Sequence, residues 1–436
     1  VKIPKSDREN ALAFEMMKPV LKVTHSRYDR FESEGFTFLV YPQAKDYKRM
    51  EREIAAECAA HPSRPLFVLD HVPPANTVEG SANGGDHMTR SIFDRHPEVI
   101  ALSGHVHGSQ VHEGKIWQGN FTAIGSGTIK HQACPGEGGS FHVMVLDLSK
   151  EKAVFRRYDI ASGEELHPER PWTLAFPFDP KTAPYRPDVR RAAVPPPAFA
   201  AGAELTAKPA GDPLREIEVS FPAAVTPDVS HYEIALEARS GNGWKVRSQA
   251  KETSDYVMPT SRRKKAFVRR FSSGYFEEGE TVRFAVVPVD FYGNRGEPLR
   301  CERTVGKTEK WRTLYEGVPS PAKPGEFTSF RGDSWFEVPP SALDVPAGTP
   351  CRIVLDVALD LKEDVGASFN LRTDKSSVYA FGYIYAPLGK SEFRSVREFA
   401  RPKEQGENFN LYLQRAAQGK VRFDRLRIEC RASARQ

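Results

Sequence analysis

Two kinds of hydrophobic pattern divide the chain. In roughly the first third, short continuous apolar runs alternate with stretches of helical spacing; beyond that, strict alternation takes over. Residues 36–41 (Phe-Thr-Phe-Leu-Val-Tyr) read as a strand. Asp46 is placed to cap a helix whose Met50, Ile54 and Cys58 recur every fourth residue on one face. The run 65–70, apolar up to its closing Asp70, and the run 99–102 read as strands buried on both faces. A second helical pattern, Met88, Ile92 and Phe93, lies between them. Further strands are predicted at 121–124, 142–146 and 154–158. Strand, helix, strand, helix, strand and then meandering strands predict a layered α/β sandwich over residues 1–165.

The pattern then changes twice. Residues 166–208 are rich in proline, with Pro195, Pro196 and Pro197 at the centre, and read as a stiffened linker. Period-two alternation at 217–221, 232–236 and 282–286 predicts an all-β unit over 209–306. A second all-β unit is predicted over 307–436. In it Ile353, Leu355, Val357 and Leu359 alternate with polar neighbours. A final strand carries Val421, Phe423, Leu426 and Ile428, with a one-residue slip at Asp424 and Arg425 that a bulge would produce.

Composition excludes little. The 436 residues are an ordinary globular mixture, 39% hydrophobic and 27% charged. The net charge of +5 gives no concentrated basic face for nucleic acid. No apolar run approaches the roughly 20 residues of a membrane helix. The first residue is Val1, and the opening residues are not a signal peptide, which leaves export undetermined. Cys58, Cys134, Cys301, Cys351 and Cys430 lack the short spacings of zinc knuckles or redox pairs. Cys351 and Cys430 flank the first and last strong strand patterns of the final segment, where either a disulfide or two buried thiols fits.

Candidate chemistry concentrates at two strand exits. Ser103-Gly104-His105-Val106-His107-Gly108 follows the run 99–102 directly, and His71 follows the run 65–70 in Asp70-His71-Val72-Pro73-Pro74. Ligands gather at the carboxyl ends of strands in open α/β sheets, and neutral imidazole is the commonest protein ligand for zinc, iron and similar ions. Two neighbouring strands would therefore present histidine at the same edge. The connection 76–86 after His71 is long, and long loops at strand ends tend to serve a site. His87 and His96 bracket the second helix with Asp86 nearby, and read more readily as a solvated helix face and cap. His25, His61, His112 and His131 read as loop or helix-end residues.

A lone His after a strand, then Gly-His-x-His after the next, resembles the last two sequence blocks of the calcineurin-like metallophosphoesterases, relatives of the purple acid phosphatases. The resemblance spans about residues 30–160. It implies a layered α/β/β/α sandwich and two metal ions (Mn, Fe or Zn), with His71 and His105 on one and His107 on the other. It also implies hydrolysis of a phosphomonoester or phosphodiester by metal-activated water. The family's earlier blocks, Asp-x-His, Gly-Asp and Gly-Asn-His, do not occur ahead of His71. They would supply the bridging carboxylate, an Asn ligand and the acid that protonates the leaving group. The resemblance therefore implies an N-terminally truncated domain, and this stretch alone is expected to show little or no turnover. The β units resemble a fibronectin type III-like sandwich and a jelly roll, an architecture common in exported enzymes. A second function class stays open: a non-catalytic protein whose β units hold glycan or a protein partner. Trp335, Phe336, Tyr379, Phe381, Tyr383 and Tyr385 are candidates for sugar stacking, although such aromatics are more often core, and the alternation at Tyr379, Phe381, Tyr383 and Tyr385 is what one buried strand face requires.

Overall fold

The computed structural model describes residues 29–41, 45–106, 108–126, 142–226, 228–317, 335–338, 344–361, 367–373, 378–384, 389–401, 409–416 and 419–431. It is a mixed α/β structure, with a mixed sheet and helices first and several antiparallel sheets after. The chain divides into two compact units. The first takes residues 1–195, 255–263 and 291–293, and the second takes the remainder.

In the first unit the strands are β1 (Asp29–Ser33), β2 (Phe36–Tyr41), β3 (Leu66–Asp70), β4 (Val99–Ser103), β5 (Ile116–Gln118) and β6 (Thr122–Gly125). They form one sheet in the order β1-β2-β3-β4-β6-β5. Strands β2, β3, β4 and β6 are parallel, and the two edge strands run antiparallel. Helices α1 (Tyr47–Ala60), α2 (Ser81–Gly84) and α3 (His87–Phe93) lie in the crossovers. Asp46 caps α1 as its position suggests, accepting from the amides of Lys48 and Arg49. On α3 the inward residue is Thr89 rather than Met88, which is 54% exposed. Its hydroxyl accepts a hydrogen bond from Lys45, so a polar contact sets the helix rotation.

The central strands are buried on both faces. Leu66, Val68, Val99 and Ala101 pack with Met50, Ile54, Ile92 and Phe93 of the helices. Their alternate neighbours Phe67 and Ile100 pack with Ala153, Phe155, Trp172 and Leu174 of a second, antiparallel sheet. That sheet runs β10-β8-β7, from β7 (His142–Leu148), β8 (Lys152–Asp159) and β10 (Trp172–Ala175), with β9 (Glu165–Leu166) beside β8. Each fully buried large apolar side chain, such as Phe67, contributes about 1.5–3 kcal/mol.

The stretch 166–208, read above as a linker, differs from that expectation. Trp172 and Leu174 sit in the core on β10, Tyr185 and Phe176 pack against them, and α4 (Pro187–Ala193) follows. Apolar residues spaced among the prolines bury, and composition alone hides them.

A buried charge cluster ties this unit together. Glu113, 3% exposed, accepts from Arg157, Arg190, the Trp172 indole and the Tyr256 hydroxyl. Burial alone would raise its pKa. The two guanidinium groups and the tyrosine hydrogen bond more than offset that and hold it at about 2.

In the second unit a three-stranded sheet (Thr206–Ala210, Glu216–Pro222, Ala266–Ser272) shares a core with a four-stranded one (Gly243–Thr253, Val229–Ser240, Thr281–Asp290, Leu299–Thr304). Two further four-stranded sheets follow. One runs Trp311–Gly317, Gly419–Arg431, Pro350–Leu361, Gly389–Ala400. The other runs Trp335–Val338, Phe409–Ala416, Ala367–Thr373, Val378–Ile384. The slip in the last strand is present: Asp356 pairs with Arg425 and Val357 with Phe423, which leaves Asp424 as the extra residue. Cys351 and Cys430 stand opposite each other on neighbouring strands as free thiols.

The Glu113 cluster generates a stability prediction. Glu113→Gln leaves two buried guanidiniums under-compensated, so unfolding should become easier by about 3–5 kcal/mol. Because the folded pKa lies below the ordinary glutamate value of 4.5, the stabilisation is present above that value and is lost as pH falls toward about 2. Urea denaturation at several pH values checks this. The difference between wild type and variant should shrink across that window, and a difference constant with pH would contradict it.

Candidate metal centre

Strands β3 and β4 pair in register, Asp70 opposite Ser103, and the ladder runs one step further: the Gly104 amide donates to the His71 carbonyl at 3.1 Å. The chain therefore leaves both strands at the same level, and His71 and His105 arrive side by side. Their ring centroids are 5.2 Å apart and nearly perpendicular, and His71 Nε2 lies 3.3 Å from His105 Nδ1. Both imidazoles are exposed. His105 has a positive φ of 64°, a conformation a non-glycine residue adopts only when its surroundings impose it. His107 lies outside the described residues, as do His25, His131 and Cys134.

The loop after His71 wraps this turn. Gly80, at φ +83°, packs so closely on Val106 that a Cβ there would come within 2.2 Å of Val106 Cγ1. A Cβ on Gly84 would stand 3.7 Å from the His105 ring, so the connection 76–86 borders the histidine pair. Lys115, fully buried, donates to the carbonyls of Val106 and Glu79 and pairs with the Glu79 carboxylate at 2.7 Å. Gly108 leaves room for it: a Cβ there would meet Lys115 Nζ at 2.8 Å. Burial would raise the Glu79 pKa, but His112 and Lys115 bring it below the usual carboxylate value.

Beneath His71 is a buried ion network that the sequence did not announce. Lys45 Nζ pairs with Asp70, lies 3.0 Å from Asp86 and donates to Thr89. Tyr47 donates to Asp86 at 2.8 Å. Asp86 also caps α3 through the amides of Met88 and Thr89, and its backbone bridges Pro73 and Ala75. Burial pushes the Asp70 carboxyl up, and Lys45 offsets only part of it. Asp86 is less deeply buried, and the Thr89 amide, Lys45 and Tyr47 outweigh its burial and hold it at about 2. Tyr47 is pushed up to about 12, by burial and then by Asp86. The only sequence signal for this network is the acid immediately before His71.

The remaining candidates separate from this site. His96 precedes β4, so the length of that strand, about 16 Å, lies between it and His105. It instead meets Cys58 and Glu98. His112 caps a short turn and packs on Phe291, and His61 ends α1 beside Glu57. Ser109, His142 and Asp159 have the residue types of a hydrolase triad, and Ser109 Oγ is 3.0 Å from His142 Nδ1. Their exposures are 5%, 0% and 0%, and no substrate reaches them. Burial lowers His142 to about 4, which keeps it neutral. Of the aromatics considered for sugar stacking, Trp335, Phe336, Tyr379, Phe381 and Tyr383 lie on strands whose side chains are not described, and Tyr385 lies outside the described residues.

No protein-family model matches this chain, and no curated protein matches it. Among solved structures it is similar to an exo-β-1,3-galactanase from Phanerochaete chrysosporium, at 7% identity and a TM-score of 0.18, over 68% of this chain and 66% of that one. An arabinoxylan arabinofuranohydrolase from Bacillus subtilis is similar at 10% identity and a TM-score of 0.17, over 72% of this chain and 85% of that one. The chain thus spans just under two thirds of the galactanase's length. Likeness this slight carries no argument about fold or activity.

The ion network yields its own prediction. Lys45→Met leaves two buried carboxylates facing each other without a cation, and should cost about 3–5 kcal/mol in urea denaturation. Adding Asp70→Asn to that variant should restore part of the loss. A cost under about 1 kcal/mol, the range of an exposed pair, would show that the network does not hold the His71 loop.

Proposed function

We propose that this protein is a metal-dependent phosphoesterase, hydrolysing a phosphomonoester or phosphodiester, with His71 and His105 as joint ligands of one ion. The observation that carries this reading is the 3.3 Å between His71 Nε2 and His105 Nδ1, since two nitrogens bound tetrahedrally at about 2.0–2.1 Å stand about 3.3 Å apart. By the motif resemblance, His107 serves a second ion. Bound there, the metal supplies an activated water at neutral pH and neutralises charge on the phosphoryl oxygens.

The protein's own part is to hold and orient. The β3–β4 ladder fixes the two histidines, and the hydrogen bond from Gly104 to the His71 carbonyl sets their spacing. Lys115 and the Gly80–Val106 contact hold the His105 turn, and loop 76–86 forms the border against which a substrate would lie. A mixed sheet with helices on one face and a second sheet on the other supports the metallophosphoesterase-like sandwich. The three-plus-four strand order after residue 205 supports a fibronectin type III-like unit, and the two interleaved four-stranded sheets after it support a jelly roll.

The test is metal-dependent turnover of a chromogenic phosphodiester by the natural gene product. His71→Ala and His105→Ala should each lower the metal-dependent rate at least about 100-fold, with Mn or Zn affinity falling in parallel. Full activity in both variants would overturn the assignment.

A further inference from the structure

At the opposite edge of the mixed sheet, three metal-binding side chains of different kinds converge. Cys58 stands in the last turn of α1, and His96 and Glu98 flank Pro97 on the approach to β4. One ligand atom of each lies within 4.8 Å of the other two. We propose that Cys58, His96 and Glu98 form a zinc site, separate from the histidine pair and independent of the function proposed above, with water in the fourth position.

Five observations support a cation here. The backbone around the site is fixed: His96 donates to Phe93 O at 2.9 Å, Val99 to His96 O at 3.1 Å, and Leu66 to Glu98 O at 2.9 Å. Cys58 is a free thiol that packs against the core of the first unit. One ligand atom each of the thiol and the Glu98 carboxylate lie within 4.8 Å of each other, so two acidic groups stand close together. Among the described residues no lysine or arginine ion pair neutralises Glu98; the nearby Arg95 pairs with Glu51, and Arg30 and Arg64 pair with Glu57. The last turn of α1 carries no basic residue of its own, so cations near the negative end of its dipole come only from outside the helix.

The donor set selects the ion. Thiolate, imidazole and carboxylate together suit zinc and disfavour magnesium and calcium, which prefer oxygen alone. Zinc bonds of about 2.0–2.3 Å place ligand atoms roughly 3.3–3.6 Å apart, so side-chain adjustments of about 1 Å close the site. Binding transfers the thiol proton to solvent and forms a zinc–thiolate bond, and the cation offsets the charge of the Glu98 carboxylate close by. The ion would join the end of α1 to the start of β4, both in the first unit.

Cobalt titration of the full chain tests this, because a thiolate ligand gives a near-ultraviolet charge-transfer band that histidine and carboxylate ligands do not. The band should develop in wild type and in His105→Ala, and be lost in Cys58→Ser. Glu98→Gln, a nearly isosteric change that keeps the fold if Cys58→Ser perturbs it, should retain the band while weakening affinity about 10–100-fold. Zinc should compete the band away. No band at saturating cobalt, a band retained in Cys58→Ser, or an affinity unchanged in Glu98→Gln would each overturn the proposal.

Discussion

The arrangement rests on the in-register pairing of two parallel strands, β3 and β4, and its continuation by one hydrogen bond beyond their ends. Parallel strands have a fixed stagger, so residues that leave them at the same level emerge together. Because Asp70 pairs with Ser103, the Gly104 amide reaches the His71 carbonyl, and His105 is placed next to His71. A slip of one residue would turn every side chain of one strand to the other face. Phe67 and Val68 would then exchange the second sheet for the helices, and the histidine pair would be lost with the core. Core packing and proposed site geometry thus depend on one register.

Charge is buried on either side of that register, and three clusters carry their own compensation. Lys45 stands between Asp70 and Asp86 below the His71 loop. Lys115 holds Glu79 and the Val106 carbonyl beside the His105 turn, and Glu113 gathers Arg157 and Arg190 further out. Such pairs add little net stability over apolar packing, but they are costly to break and they fix loop conformations. That suits a region where two imidazoles must meet at one distance. The Cys58, His96 and Glu98 cluster is the exception, since its carboxylate has no cationic partner among the described residues.

Much of the first unit was legible in the sequence. The continuous apolar runs at 65–70 and 99–102 can bury only as central strands, Asp46 announces α1, and histidines directly after both strands place the candidate site. Local patterns did not reveal what depends on distant partners. Thr89 rather than Met88 turns inward because Lys45 waits for its hydroxyl. Trp172, Leu174 and Tyr185 were hidden among prolines, whose abundance reads as linker. The contacts of Lys45 with Asp70 and of Cys58 with His96 and Glu98 join residues far apart in the chain, and no periodicity encodes them. The final strand is the opposite case: its bulge was readable because the slip at Asp424 breaks an otherwise regular alternation.

The central claim is that His71 and His105 are two ligands of one ion rather than two rings in contact. Crystals grown with saturating zinc, with anomalous difference density recorded at the zinc edge, test it directly. The expected result is a peak about 2.0–2.1 Å from both His71 Nε2 and His105 Nδ1. Ring nitrogens that remain 3.3 Å apart with no peak between them would show a hydrogen-bonded pair and contradict it.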